Sequence, residues 1–320
     1  MKKLSKFKII ALALFAAVFI SCDNDDDPVM PVDNTITGIA VKNPNLKILV
    51  QALTRADLAN TLKGAGPYTV FAPTDAAFTA FLKTTPYATI NDVPKDALTQ
   101  ILLNHVVSGA VKSTDLKAGY VKTLAKGAAS ATNNLSMYVD LTSGVKLNGV
   151  SKVATADVMA SNGVIHVVDA VIGLPTIVTH ATANPNFSSL VGALTGPGQP
   201  AFTTILAGTG PFTVFAPNNA AFTALNTELA PGGIAGVSVA NLTKVLQYHV
   251  VSPANVLAAS LTEGQVVTPI LAPAQTFTVL LAGGAKIRDA RTRVSTIVAT
   301  DVQCANGVIH VLDKVLLPTF

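Results

Sequence analysis

The chain reads as an α+β protein assembled from two tandem copies of one domain. Blocks of sequence recur at a constant spacing, and helical patterns precede strand patterns within each copy. In addition, 50% of the 320 residues are hydrophobic and only 12% are charged. That balance feeds packed cores and excludes a disordered chain.

In chain order, Lys2, Lys3, Lys6 and Lys8 precede an apolar run from Ile9 to Ile20, and Ser21 stands before Cys22. A basic start, a short apolar run and a small residue make an export signal over residues 1–21. The run falls short of the about 20 residues that a membrane span needs. Phe19-Ile20-Ser21-Cys22 resembles a bacterial lipobox, with Phe19 where leucine is usual. Cys22 is therefore the expected lipidation site; the alternative is an incidental thiol beside an ordinary cleavage point. Residues 22–33 carry Asp23, Asp25, Asp26, Asp27, Pro28 and Pro31, a composition for an extended acidic tether. Such a cluster resembles surface-export addresses in some lineages and inner-membrane retention signals in others. The expected location is the cell envelope, with a lipid anchor at the outer membrane and the chain either at the surface or on the periplasmic side.

Without residues 1–21 the 22 basic residues fall to 18, equal to the 18 acids. A neutral mature chain excludes nucleic-acid binding by bulk charge. Once Cys22 carries lipid, Cys304 is the remaining thiol. Hydrophobic cores rather than a disulfide must then hold the domains together, with Cys304 buried in one of them.

The repeat is explicit. Tyr68–Phe78 (YTVFAPTDAAF) recurs as Phe212–Phe222 (FTVFAPNNAAF), Asn162–Asp169 (NGVIHVVD) as Asn306–Asp313 (NGVIHVLD), and His105–Ser108 as His249–Ser252, each 144 residues later. Asn43–Leu46 recurs as Asn184–Phe187 at 141, so three residues are inserted near Gly196-Pro197-Gly198. A period this long marks globular domains rather than a solenoid. The expected domains span 34–174 and 175–320, with almost no linker, which predicts that they pack together.

Within the first copy, Leu46, Leu49, Val50, Leu53 and Leu58 follow helical spacing after Pro44-Asn45, and a second short helix holds Leu58 and Leu62 up to Gly64. Residues 67–71 form a compact strand that Ala72-Pro73 ends. Thr74 or Asp75, replaced by Asn218 and Asn219 in the second copy, caps a helix bearing Phe78, Phe81 and Leu82. Leu98, Ile101, Leu102 and His105 share one helical stripe. Leu135–Leu141 alternates as a strand, Ser143-Gly144 turns towards 145–147, and 164–168 is the final strand; Thr276–Leu280, Gly283-Gly284 and Lys286-Ile287 are the counterparts in the second copy. Helices first and strands afterwards predict α+β.

At these blocks the chain resembles the fasciclin (FAS1) domain family, twice over. The 69–78 and 162–169 blocks match its two signatures, as do 213–222 and 306–313, and Tyr248-His249 matches its intervening Tyr-His pair; Asn104 replaces the tyrosine beside His105. The resemblance implies a β-strand wedge with helices packed along one side. It also implies adhesion at surfaces and matrices through proteins, glycans or further copies of itself, and no enzymatic activity.

His166 and His310 lie in strands, read as half-buried and hydrogen-bonded. His105, His249 and Tyr248 are candidate binding residues by resemblance, with support of a loop as the competing role. The histidines are dispersed and no Cys-x-x-Cys occurs, so no metal or cofactor is expected. No Gly-x-Ser-x-Gly or phosphate-binding loop is present either. Residues 34–174 carry 12 basic and 8 acidic residues; residues 175–320 carry 6 and 5, with Arg288, Arg291 and Arg293 half of the basic set. If that segment is a strand, Arg291 and Arg293 share a face that can bind anions, or guard a sheet edge against aggregation. Tryptophan is absent and tyrosines number five, which disfavours a lectin-like stacking platform. The expected function is a non-enzymatic, lipid-anchored adhesion or matrix-interaction protein; glycan capture for nutrient uptake is the alternative.

Overall fold

Residues 32–320 are described by the computed structural model; the export signal, Cys22 and the tether up to residue 31 lie outside the described residues. The first copy runs α1 (Ile36–Lys42), α2 (Lys47–Arg55), α3 (Ala59–Lys63), β1 (Tyr68–Pro73), α4 (Asp75–Leu82), α5 (Lys95–Leu103), β2 (Val106–Ser108), β3 (Gly119–Gly127), β4 (Ser130–Asp140), β5 (Lys146–Leu147), β6 (Ser151–Ala160) and β7 (Gly163–Val168). The second runs α6 (Ile177–Ala183), α7 (Ser188–Thr195), α8 (Phe202–Ala207), β8 (Phe212–Pro217), α9 (Asn219–Glu228), α10 (Val239–Tyr248), β9 (Val250–Val251), β10 (Val266–Val267), β11 (Phe277–Leu280), β12 (Lys286–Arg288), β13 (Val294–Cys304) and β14 (Gly307–Leu312).

In the first copy the strands close in the order β1 to β7, the seam being the parallel pair β1–β7 with Tyr68 opposite Gly163. The second copy repeats the parallel seam as β8–β14, with Phe212 opposite Gly307, but its sheet stays open between β9 and β10. Both seam strands are covered on two faces, which explains their near-continuous apolar sequence. Val70, Ala72 and Ile165 face the helices, packing with Leu49, Leu53, Phe78 and Leu98. Phe71 and Val168 face the strand side with Met137, Val139 and Leu147. The second copy splits its core the same way, Val214 and Ile309 towards the helices and Phe215 with Phe277 and Ile287 on the other side.

The recurring blocks are the joints of this scaffold. Asn162 donates its amide to Leu62 O (2.8 Å) and Gly64 O (2.6 Å) and accepts from Ile36 N (2.9 Å), tying α1 and α3 to the strand turn. Asn306 repeats this on Leu206, Gly208 and Ile177. At Gly163 a Cβ would lie 2.0 Å from Tyr68 O, and at Gly307 2.1 Å from Phe212 O, so only glycine allows the seam strands to meet there. Thr74 caps α4 by accepting from Ala77 N, whereas Asp75 accepts from Ile48 N (2.7 Å) and holds the start of α2. Asn218 and Asn219 divide the same two tasks, on Ala221 N and Ser189 N.

The two copies pack directly on one another. Lys122 donates to Asp301 O (2.7 Å), Gln303 N donates to Ser136 Oγ (3.0 Å), and Ala129 N donates to Ala305 O (2.9 Å). A Cβ at Gly127 would meet Ala305 Cα at 2.5 Å, so β3 reaches its neighbour only because this residue has no side chain.

Two expectations are corrected. Residues 289–293 form a turn between β12 and β13, not a strand, so Arg291 and Arg293 share no strand face and guard no sheet edge. His166 and His310 are fully buried rather than half-buried, because both faces of the seam strands are covered. The strands β3, β6 and β13 escaped the sequence reading: their turns and Lys, Thr and Asp positions blur the alternation.

Candidate functional site

His105 and His249 sit at the C-terminal ends of α5 and α10, where each helix runs into its strand. In each ring Nδ1–H donates back to the helix, to Ile101 O or Val245 O at 2.7 Å, and Nε2 accepts from a backbone N–H of the segment after the last strand, Ile172 or Leu316 at 2.9 Å. Both nitrogens are therefore occupied. Burial holds each pKa down, from 6.5 to about 4, so both rings are neutral. Tyr248 is buried against Phe277 and donates its hydroxyl to Thr276 O (2.6 Å) while accepting from Ala290 N (3.0 Å); burial raises its pKa to about 12. Asn104, its counterpart, instead donates to Ile172 O and Gly173 O and braces the segment after β7 that His105 also holds.

His166 and His310 stack on Phe71 and Phe215 at 5.4 Å, and each donates Nε2–H to a loop carbonyl, Val111 O (3.0 Å) or Val256 O (2.8 Å). None of these four rings offers a free nitrogen to a substrate. No cluster of metal-binding side chains occurs among the described residues. Cys304 is buried, and burial pushes its thiol pKa up, which makes it a packing residue.

The arginines are brought together, but around an acid of their own. Asp289, buried in the β12–β13 turn, accepts from Arg291 N (3.0 Å), Arg293 N (2.9 Å) and Leu317 N (3.0 Å). Arg293 bridges Asp289 (3.3 Å), Glu228 (2.7 Å) and Val315 O (2.8 Å), and Arg291 donates Nε–H to Pro318 O with its guanidinium over Phe320. Arg288 is exposed at the end of β12. The set locks the C-terminal segment to the sheet.

Surfaces remain. A groove of about 720 Å³ lies beside α2 and α4, lined by Ile48, Gln51, Thr79, Leu82 and Tyr87. One of about 570 Å³ lies at the equivalent place by α7 and α9, lined by Ser189, Gly192, Phe222, Thr223 and Asn226. A third, about 430 Å³, opens where the copies meet, between Tyr120 and Tyr138 on one side and Asn184, Asn186 and Asn218 on the other. No sequence signal marked it, because spacing along the chain does not pair residue 120 with residue 184.

A family model for the fasciclin domain matches residues 44–175 and again 185–318. The chain belongs to the fasciclin family. Protein sll1483 of Synechocystis is 40% identical over 138 residues, 43% of this chain and 72% of that protein. Transforming growth factor-beta-induced protein ig-h3 of Sus scrofa is 26% identical over 292 residues; the match spans 91% of this chain but only 40% of that longer protein. A solved FAS1 domain pair from the insect cell adhesion molecule fasciclin I, 18% identical with a TM-score of 0.49, covers 88% of this chain and 96% of its own. Fasciclin-domain proteins are adhesion proteins rather than enzymes. In this fasciclin pair the signature residues are internal braces, and the grooves are what the surface offers.

Proposed function

We propose that this fasciclin pair is a lipid-anchored adhesion protein of the cell envelope, tethered through Cys22 and binding surface proteins, glycans or its own copies. The observation that carries it is the recurrence of a groove at the same place on both domains while every signature histidine is occupied internally. Two modest interfaces on one chain, multiplied over many anchored molecules, give avidity that neither has alone. The acidic tether supplies reach from the membrane. Residues 34–174 and 175–320 act as the two binding units in this reading.

Labelled palmitate incorporates into the wild-type chain and not into a Cys22→Ser variant; failure to incorporate removes the anchor. Beads coated with residues 22–320 cluster, and filling both grooves with Thr79→Trp and Thr223→Trp reduces clustering. Clustering unchanged by both substitutions moves adhesion away from the grooves. A second reading, glycan capture by the anchored protein, draws on the polar cleft between the domains.

A further inference from the structure

We propose that the cleft between the two fasciclin domains is a binding site for a neutral sugar unit of a glycan. This deepens the glycan-capture reading and rests on it; the adhesive reading stands without it. At about 430 Å³ the cleft has the size of small-ligand sites, and each domain supplies one wall. Neither domain alone makes the site.

The chemistry of the walls selects the ligand. Asn184 donates its amide to the Tyr120 hydroxyl (3.2 Å) and accepts from Asn186 N (3.0 Å), which fixes the phenol and the asparagine turn together. The Tyr120 ring is further held by Tyr138 at 5.1 Å and by the edge of His180 at 5.3 Å. The Tyr120 hydroxyl proton and the Asn186 side-chain amide have no hydrogen-bond partner among the described residues, and Asn218 uses only its Oδ1, on Ala221 N. These unused donors and acceptors match the hydroxyl rim of a sugar ring. Val298, exposed on the wall, supplies apolar surface for its C–H face, while Phe187 backs the site from the core. No charged side chain lines the cleft, so nothing there compensates the desolvation of a carboxylate, sulfate or phosphate. A neutral, hydroxyl-rich ligand fits; an acidic one does not.

The test uses residues 22–320 with neutral oligosaccharides (glucans, mannans and N-acetylhexosamine oligomers), their acidic counterparts and a set of uncharged peptides, read by saturation-transfer NMR and titration calorimetry. At least one neutral oligosaccharide binds, and raising salt from about 0.1 to about 0.5 M leaves its affinity unchanged because no charge pair is screened. Ala220→Trp, at an exposed helix position in the wall, blocks the cleft and lowers affinity more than about 10-fold, and Asn186→Ala lowers it about 5-fold, a loss of the order of one hydrogen bond. Melting temperatures of both variants match the wild type. The inference is overturned if acidic oligosaccharides or peptides occupy the cleft in preference. Sugar binding that Ala220→Trp leaves intact keeps glycan capture and discards this cleft; no binding to any saccharide discards both. Bead clustering measured on the same variants reports adhesion separately.

Discussion

Burial disfavours the charged imidazolium, so His105 and His249 are held near about 4 and His180 near about 3, and His310 is lowered as well. In the unfolded chain each titrates near its ordinary value of about 6.5. Between these values the unfolded state binds more protons, so stability rises with pH there. It is fully present above about pH 6.5 and is lost as pH falls towards about 4, by on the order of 3 kcal/mol for each of His105 and His249. Urea denaturation at pH 7, 5.5 and 4.5 checks this; a flat profile contradicts it. Asp289 gives a second test, since Asp289→Ala strands three backbone N–H groups and removes the buried carboxylate from Arg293, which keeps Glu228 and Val315 O. A loss of about 3–5 kcal/mol is expected in the same assay, as for breaking a buried ion pair by removing one partner. The role of Asp289 was not legible in the sequence: three arginines in six residues have the composition of an anion site, and nothing local shows that the acid among them takes up Arg291 and Arg293.

At the level of elements, α2 to α5 and the seam strands were legible from apolar period and turn or cap residues, whereas α1 and α6, one short helix at the start of each copy, were not. Thr74 and Asn218 do the same job in the two copies, and each accepts one otherwise unpaired N–H of its helix. Thr74→Ala and Asn218→Ala should each cost about 1 kcal/mol. Because the sites sit in different domains, the double variant should lose the sum to within about 0.5 kcal/mol; chemical denaturation of the single and double variants measures this. Asp75 shows where cap reasoning stopped. It has the composition of a cap, yet its carboxylate serves Ile48 N on another helix, a partner 27 residues away that no local rule pairs with it. The strands β3, β6 and β13 were missed for a related reason. They carry bulges, such as the register shifts along β6 and β13, and contact the neighbouring domain or solvent on alternate stretches, so a period of two never builds up.

For the whole molecule, the contact between domains turns on Gly127. Gly127→Val places side-chain atoms where Ala305 backbone already lies, so the domains should separate. Calorimetry is then expected to resolve two thermal transitions in place of one coupled transition, and small-angle scattering a longer particle; an unchanged single transition would show that the joint tolerates the branch. The duplication, the order of helices before strands, the capping sites and the family were readable from residue order alone, because each depends on local spacing or on repetition along the chain. Only the folded chain decided that the signature histidines are internal braces, that the arginines enclose their own acid, and that two tyrosines and three asparagines from separate domains converge on one cleft. Those outcomes depend on which distant groups share a volume from which water is excluded, and linear sequence carries no record of that neighbourhood.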